Sequence, residues 1–281
     1  MPRSIEIFLC YAREDEELLK GLEKHLRVLQ RQGIISIWYD RNISAGTEWE
    51  REIDNHLNTA RLILLLISPD FLDSDYCYGI EMKRAMERHE KDEARVIPII
   101  LHHVYWHKTP FGKLQALPTD GKPIISSVWH NLNEALYNVS EGIRLAVEDV
   151  FAKDEAKQCV NRGNALYEQQ KYDEAIAAYD QAIVHDPKCF QAHNNKGSVL
   201  GTLLRYEDAV SAFDEALQIK PNDIGISKNL GKVLIYLNRS EEALKVFERA
   251  ISANPNDEGL KRSIKNLREN LVETSTAQLL V

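Results

Sequence analysis

The side chains best suited to chemistry follow short apolar runs in the first half of the chain. Arg13 comes directly after the run Ile5–Tyr11, and Cys77 and Glu81 come after the run Leu62–Ile67. Cys77 and Glu81 are four positions apart, which places both on one face of a helix. Taken by itself, a carboxylate such as Glu81 is either a solvated residue stabilised by the dipole at a helix start or a functional acid in a cleft.

Two other groups of side chains have donor atoms for a metal. The histidines of His102-His103-Val104-Tyr105-Trp106-His107 follow an apolar run, but no acid or thiol lies nearby to complete a tetrahedral zinc site. The cysteines are scattered without the spacing of a metal site or disulfide framework: Cys10, Cys77, Cys159 and Cys189. We therefore expect no metal site, and reduced thiols as in the cytosol.

Apolar runs alternate with amphipathic stretches in residues 1–150, which indicates a parallel sheet covered by helices. The predicted strands are Ile5–Tyr11, Ile34–Tyr39, Leu62–Ile67, Val96–Leu101 and Pro123–Ser126. The predicted helices are Asp15–Gln32, Trp49–Leu57, Tyr76–His89 and Leu132–Val150. The order predicts a flavodoxin-like α/β fold with a five-stranded parallel sheet. Open sheets of this kind bind ligands at the carboxyl ends of their strands.

The second half of the chain repeats with a period of 34 residues. The period relates small, aromatic and proline positions: Gly163, Gly197 and Gly231; Ala175, Ala209 and Ala243; Tyr179, Phe213 and Phe247; Ala182, Ala216 and Ala250; Pro187, Pro221 and Pro255. The small residues allow two helices to approach closely, an aromatic side chain fills the space beside them, and proline ends the second helix.

This pattern resembles the tetratricopeptide repeat, with copies at 156–189, 190–223 and 224–257 and a closing helix at 258–272. We therefore divide the chain into 1–150 and 151–281, the latter an all-α solenoid. The resemblance implies a concave face that binds a peptide or protein. The alternative is that the repeats serve only assembly, or pack on the first domain.

Three segments of the first half resemble the conserved boxes of Toll/interleukin receptor (TIR) domains. They are IFLCYARED at 7–15, WYDRNISAGTEW at 38–49 and ISPDFLDSDYCYGIE at 67–81. Many TIR domains cleave NAD⁺ between nicotinamide and ribose, with one glutamate as the catalytic residue. The resemblance places that role on Glu81. Some relatives have two residues between the cysteine and the glutamate, whereas this chain has three.

The resemblance also implies a set of substrate-binding residues: Tyr11, Ala12, Arg13, Trp38, Ser44, Gly46, Ser68, Tyr76 and Cys77. Arg13 would meet the pyrophosphate or pair with a surface acid. Trp38 would offer a ring face to nicotinamide or adenine, or belong to the core. Cys77 would form a wall of the pocket. No glycine-rich phosphate loop is present, so NAD⁺ is expected as a substrate and no cofactor is expected.

Charge and hydropathy exclude other classes of protein. The net charge of −8 argues against nucleic-acid binding, and the longest apolar run, Leu62–Ile67, is far shorter than a membrane span.

We expect a cytoplasmic NAD⁺ glycohydrolase that self-associates through its TIR domain and acts in bacterial immunity (antiviral defence) or signalling. Its product is ADP-ribose or a cyclic form. The alternative is a catalytically silent TIR scaffold that gathers protein partners.

Overall fold

The protein is described by a computed structural model that covers residues 4–40 and 49–278. It forms two compact units, Met1–Val150 and Phe151–Val281. The first unit has a parallel sheet in the order β2-β1-β3-β4. Its strands are β1 (Ile5–Cys10), β2 (Ile35–Trp38), β3 (Leu62–Ile67) and β4 (Arg95–Ile100). The predicted α/β class with a parallel sheet and flanking helices is confirmed.

Helices connect the strands of the first unit. They are α1 (Glu16–Arg31), α2 (Trp49–Thr59), α3 (Pro69–Asp73) and α4 (Met82–Glu90), followed after β4 by α5 (Leu132–Glu168). Every residue of β3 is buried, which is typical of a central strand covered on both faces. On α1, Leu19, Leu22 and Leu26 form the buried stripe at helical spacing.

The predicted fifth strand at Pro123–Ser126 is wrong: among the described residues the sheet has four strands. The edge beyond β4 is shared between two short segments. Leu117 forms an isolated parallel bridge with Ile99, and the N–H groups of Ile124 and Ile125 donate to the carbonyls of Ile100 and Leu101 at 2.9 Å. Proline at 123 has no N–H to extend the pairing of Ile124 and Ile125, so this segment does not become a strand.

The predicted helix Leu132–Val150 continues without interruption to Glu168 as α5, although the boundary between the two units lies at Val150. Residues 151–156 (FAKDEA) contain neither glycine nor proline, so no residue there ends the helix. None of the helices in the part of the chain that the structure describes combines the length and apolar character needed to cross a membrane.

The second unit is all-α, as predicted. After α5 it contains α6 (Tyr172–His185), α7 (Phe190–Thr202), α8 (Tyr206–Ile219), α9 (Ile224–Tyr236), α10 (Ser240–Ala253) and α11 (Glu258–Gln278). The repeated glycines allow close packing of each helix pair. A Cβ atom on Gly197 would lie 2.9 Å from Phe213 Cε1, and one on Gly163 would lie 2.5 Å from Tyr179 Cε1.

Candidate functional site

A π-helical turn at Cys77–Glu81 precedes α4 and replaces the first part of the helix predicted at Tyr76–His89. The Glu81 N–H donates to the Tyr76 carbonyl at 3.2 Å, and the Met82 N–H donates to the Cys77 carbonyl. Each bond spans five residues, one more than in an α-helix. The wider turn accommodates the additional residue between Cys77 and Glu81 and still aims both side chains at the sheet.

The carboxyl group of Glu81 lies against the end of β1. Cys10, the last residue of β1, donates its thiol hydrogen to Glu81 Oε2 at 2.6 Å. The Cys77 thiol points to the same strand end and donates to the Tyr11 carbonyl at 3.3 Å. Glu81 is only 5% exposed and Cys77 7%. The π turn and β1 therefore hold a carboxyl and two thiols together below the protein surface.

Burial controls the protonation of these groups. Desolvation raises the pKa of Glu81 to about 8, although the hydrogen bond from Cys10 opposes the shift. Burial also raises the pKa of Cys10 well above its usual value. In contrast, the hydrogen bond from Cys10 lowers the pKa of Cys77 to about 7, against the effect of burial. At neutral pH Glu81 is therefore largely protonated.

A cavity of about 420 Å³ opens above these side chains at the carboxyl end of the sheet. Its lining residues are Leu9, Tyr11, Ala12, Arg13, Glu14, Asp40, Asp70, Asp73, Ser74, Tyr76, Cys77 and Glu81. Five of them are acids, and Arg13 is the basic residue among the described lining residues. The Tyr11 hydroxyl donates to Asp40 Oδ1 at 3.0 Å. The cavity therefore favours a ligand with a positive charge.

Most of the predicted site residues meet at this cavity. Tyr11, Ala12, Arg13, Tyr76, Cys77 and Glu81 all line it. Ser44 and Gly46 lie outside the described residues. Trp38 and Ser68 do not line the cavity, and their positions have separate physical reasons.

Trp38 belongs to the core of the first unit. Its ring stacks on Phe8 with centroids 5.3 Å apart and on His56 with centroids 4.2 Å apart. The neighbouring rings occupy its faces, so the prediction of a free ring face for the substrate is corrected. The core alternative is the one that the structure supports, with 8% of Trp38 exposed.

Ser68 is fully buried at the start of α3. Its hydroxyl accepts a hydrogen bond from the Phe71 N–H at 3.0 Å and donates one to Asp15 Oδ2 at 2.5 Å. Both bonds are those of a helix N-cap tied to a buried acid. Ser68 therefore fixes the start of α3, the helix that carries Asp70 and Asp73, and is not among the residues that line the cavity.

Several cavity residues were missed by sequence reasoning. They are Leu9, Glu14, Asp40, Asp70, Asp73 and Ser74, together with Cys10 below the cavity. Asp40 follows β2, so the rule that ligands bind beyond strand ends would have found it. Cys10 lies inside an apolar strand, and nothing in its local sequence marks it.

The cysteines differ from expectation, because two of them meet in space although their spacing in the sequence shows no pattern. Among the residues described by the structure, the donor atoms that converge belong to Cys10, Cys77 and Glu81, all within 4.8 Å of one another. The histidines at 102, 103 and 107 are not part of this group.

Family models match both units. A TIR domain model matches residues 7–124, and two tetratricopeptide repeat models match residues 160–224 and 205–266. The chain is 54% identical over 140 residues to the uncharacterized protein y4lF of Sinorhizobium fredii. That match covers 50% of this chain and 43% of the relative, so the chain spans less than half of the relative's length.

Solved structures resemble the repeats. The first tetratricopeptide domain of Spaghetti (RPAP3), bound to an HSP90 peptide, is 25% identical, with a TM-score of 0.41, covering 43% of this chain and 95% of that one. The Sgt2 tetratricopeptide domain of Aspergillus fumigatus is 21% identical, with a TM-score of 0.41, covering 43% of this chain and 82% of that one.

Proposed function

The chain is a TIR-domain protein with C-terminal tetratricopeptide repeats, and we propose that its TIR domain is an NAD⁺ glycohydrolase. The observation that carries this proposal is the buried Glu81 carboxyl at the floor of an acidic cavity. NAD⁺ is the substrate and no retained cofactor is involved.

The chemistry requires one well-placed carboxylate. The bond between ribose C1′ and the nicotinamide nitrogen breaks, and its electron pair leaves with nicotinamide, which departs as a neutral molecule. The ribose is left with an oxocarbenium-like positive charge. Glu81 accepts hydrogen bonds from the ribose hydroxyls and stabilises that charge. Water then adds at C1′ and loses a proton to give ADP-ribose, or an adenine nitrogen adds instead and gives a cyclic product.

No general acid is needed, in contrast to ordinary glycosidases. The nicotinamide nitrogen carries a positive charge in NAD⁺, and the electron pair of the broken bond neutralises that charge. The acidic cavity supports substrate binding, since Asp40, Asp70 and Asp73 favour the cationic nicotinamide ring. Arg13, which lines the cavity, would meet the anionic pyrophosphate.

Substrate binding also sets the charge of Glu81. Its pKa of about 8 keeps the carboxyl largely protonated at neutral pH before the substrate binds. A cationic nicotinamide ring in the cavity favours the ionised carboxylate and lowers that pKa. The catalytic form of Glu81 is thus the one that the correct substrate produces.

The proposal is tested by incubating the purified full-length chain with NAD⁺ and measuring nicotinamide and ADP-ribose forms by chromatography. NADH is the matched substrate control, because its dihydronicotinamide ring has no positive charge and is a poor leaving group. We expect release from NAD⁺ and none from NADH. A folded, concentrated chain that leaves NAD⁺ intact contradicts the proposal.

We propose further that activity depends on self-association of the TIR domain. Asp40 lines the cavity. The rest of the motif at 38–49, which contains Ser44 and Gly46, follows Asp40 directly in the chain. That segment of one TIR domain would complete the site of its neighbour. Specific activity should then rise with protein concentration, and changes at Ser44 or Gly46 should lower activity and assembly together. A constant rate from a proven monomer contradicts the idea.

The repeats are proposed to bind a peptide or protein segment. Asparagines on the first helices of successive repeats form a connected row: Asn195 Nδ2 donates to Asn164 Oδ1 at 2.9 Å, and Asn229 Nδ2 donates to Asn194 Oδ1 at 3.1 Å. Amide side chains in a row offer donors and acceptors that match a peptide backbone. Such a partner would link the enzyme to its trigger in bacterial immunity or signalling, in the cytoplasm.

A catalytically silent scaffold is the second candidate function. The hydrogen bond from Cys10 to Glu81 favours it, because that bond occupies one oxygen of the carboxyl group. The two candidates differ in the NAD⁺ assay: a scaffold binds partners through both units and releases no nicotinamide at any concentration.

A further inference from the structure

Three metal-binding side chains meet below the cavity. Cys10 Sγ lies 2.6 Å from Glu81 Oε2, and the donor atoms of Cys10, Cys77 and Glu81 all lie within 4.8 Å of one another. All three residues are buried. Two elements far apart in sequence, β1 and the π turn, supply the donors, so the folded domain holds the cluster together.

The donor set determines which ion fits. Two thiolate sulfurs and one carboxylate oxygen suit zinc, which binds sulfur and oxygen in tetrahedral sites. With Zn–S of about 2.3 Å and Zn–O of about 2.0–2.2 Å, tetrahedral ligand atoms lie roughly 3.3–3.8 Å apart. The donor atoms of Cys10, Cys77 and Glu81, all within 4.8 Å of one another, lie near those separations.

The surroundings favour a cation and leave it accessible. Glu14, Asp40, Asp70 and Asp73 line the cavity, against Arg13 as the basic residue among the described lining residues. This excess of negative charge concentrates divalent cations. Cys77 and Glu81 line the same cavity, so an ion held by three protein ligands keeps a fourth position for water.

We infer that Cys10, Cys77 and Glu81 bind Zn²⁺ and that zinc bound there blocks NAD⁺ cleavage. On binding, each thiol and the protonated Glu81 carboxyl release their protons to water, and the two sulfurs and a carboxylate oxygen give electron pairs to the metal. The Glu81 carboxylate becomes a zinc ligand and no longer accepts hydrogen bonds from the ribose. Binding of the metal stands independently, whereas the inhibition rests on the proposed NAD⁺ glycohydrolase function.

Zinc binding is measured on the full chain, reduced with a phosphine and stripped of metal, by titrating Zn²⁺ against a chromophoric chelator. We expect one tight site per chain, and thiolate-to-metal absorption when Co²⁺ replaces Zn²⁺. Cys10→Ser and Cys77→Ser should each weaken binding at least ~100-fold, since removing a ligand costs no less than losing its supporting contacts. Cys159→Ser and Cys189→Ser, in the repeats, should bind zinc as the wild type does.

Folding is checked by circular dichroism, and Cys10→Ala serves as a second variant if Cys10→Ser unfolds. A triple change of His102, His103 and His107 to asparagine tests the histidine segment. Wild-type zinc affinity in folded Cys10 and Cys77 variants, or loss of the site only in the histidine variant, overturns the inference.

Inhibition is measured as the ratio of nicotinamide release with and without Zn²⁺. The wild type should lose activity as zinc fills the site and regain it with chelator. The ratio for Cys77→Ser should stay near one at the same zinc concentration, whatever its basal rate. Zinc binding without any NAD⁺ cleavage supports the metal site and contradicts only the proposed function; NAD⁺ cleavage by a chain that binds no zinc overturns the inference.

Discussion

The two units of this chain treat polar groups in opposite ways. The first unit buries the ionisable residues Asp15, Glu81 and Arg88, whereas the buried polar residue in the described part of the second unit is Ser227. The repeats keep their charges on the surface, for example in the ion pair of Arg239 with Glu242. Burying charge lowers stability unless it is compensated by hydrogen bonds.

The compensation in the first unit is visible at Arg88. Its guanidinium donates to the carbonyls of Leu57 and Ala60, at 2.5 and 2.7 Å, near the end of α2. These are carbonyls that a helix terminus leaves without partners. Arg88 therefore anchors α4, the helix that continues from Glu81. The comparison teaches that the first unit tolerates buried ionisable groups where hydrogen bonds compensate them, whereas the described repeats bury mainly apolar side chains.

The largest expected effect is on catalysis. Glu81→Gln keeps the size of the side chain and removes the charge that stabilises the ribosyl cation, so nicotinamide release should fall by about 100–1,000-fold or more. Glu87→Gln is the matched control on the same helix, because Glu87 is exposed and pairs with Arg84. It should act as the wild type does. A folded Glu81→Gln chain with wild-type activity contradicts the assignment.

The next effect is on stability, measured with chelator present. The pKa of Glu81 is raised from 4.5 to about 8, so folding favours the protonated form. The contribution of the protonated Glu81 side chain to the free energy of unfolding is present in full below about pH 4.5. It is lost as the pH rises through about 8. Relative to Glu81→Gln, the wild type should therefore lose roughly 2–4 kcal/mol of unfolding free energy between those limits.

For Glu242 in the repeats, we expect the contribution to stability to depend on pH in the opposite direction. The hydrogen bond from Arg239 lowers the pKa of Glu242, so its contribution is present above its unfolded value and is lost as the pH falls. Denaturant titrations of Glu81→Gln and Glu242→Gln at several pH values compare the two directions. If the free energy of unfolding changes with pH in the same way for the wild type and Glu81→Gln, the raised pKa of Glu81 is contradicted.

A smaller effect is expected in the repeats. Gly197→Ala would place its Cβ 2.9 Å from Phe213 Cε1, and the crowding should cost about 1–3 kcal/mol of unfolding free energy. Gly201→Ala is the matched control on the same helix. Its Cβ would meet only Val233 Cγ2 at 3.6 Å, so it should stabilise by roughly 0.5–1 kcal/mol. Thermal melts that rank the two variants in the reverse order contradict the packing described.

The smallest effect is on regulation. The cavity residues all lie in residues 1–150, so a chain lacking residues 156–281 should keep Glu81-dependent cleavage at high concentration. At low concentration the truncated chain should cleave NAD⁺ several-fold more slowly than the full-length chain. The repeats that promote assembly are missing, and the concentration is too low to drive assembly without them. Nicotinamide release is measured for both chains across a concentration series. A higher rate would mean that the repeats restrain the enzyme, and identical curves would remove them from regulation.

Much of the second unit was predictable from the sequence because its contacts are nearly local. Gly197 packs on Phe213 within one repeat, and the same pair recurs 34 residues later. The turns inside the repeats were not predictable residue by residue. Gln170, Leu204 and Asn238 end the first helix of each repeat with φ of 57–60°, a region that favours glycine, and only the packing of the helix pair selects it there.

In the first unit the sequence determined the alternating strands and helices. The resemblance of its motifs led to Glu81 and to the cavity residues that follow β1, which are Tyr11, Ala12 and Arg13. The tertiary structure decided which side chains surround them. Cys10 and Glu81 are 71 positions apart, and they meet because β1 pairs with β3 and the π turn after β3 aims Glu81 at the end of β1. Trp38 enters the core and not the cavity for the same reason: a parallel sheet joins distant residues through its register, which no local pattern contains.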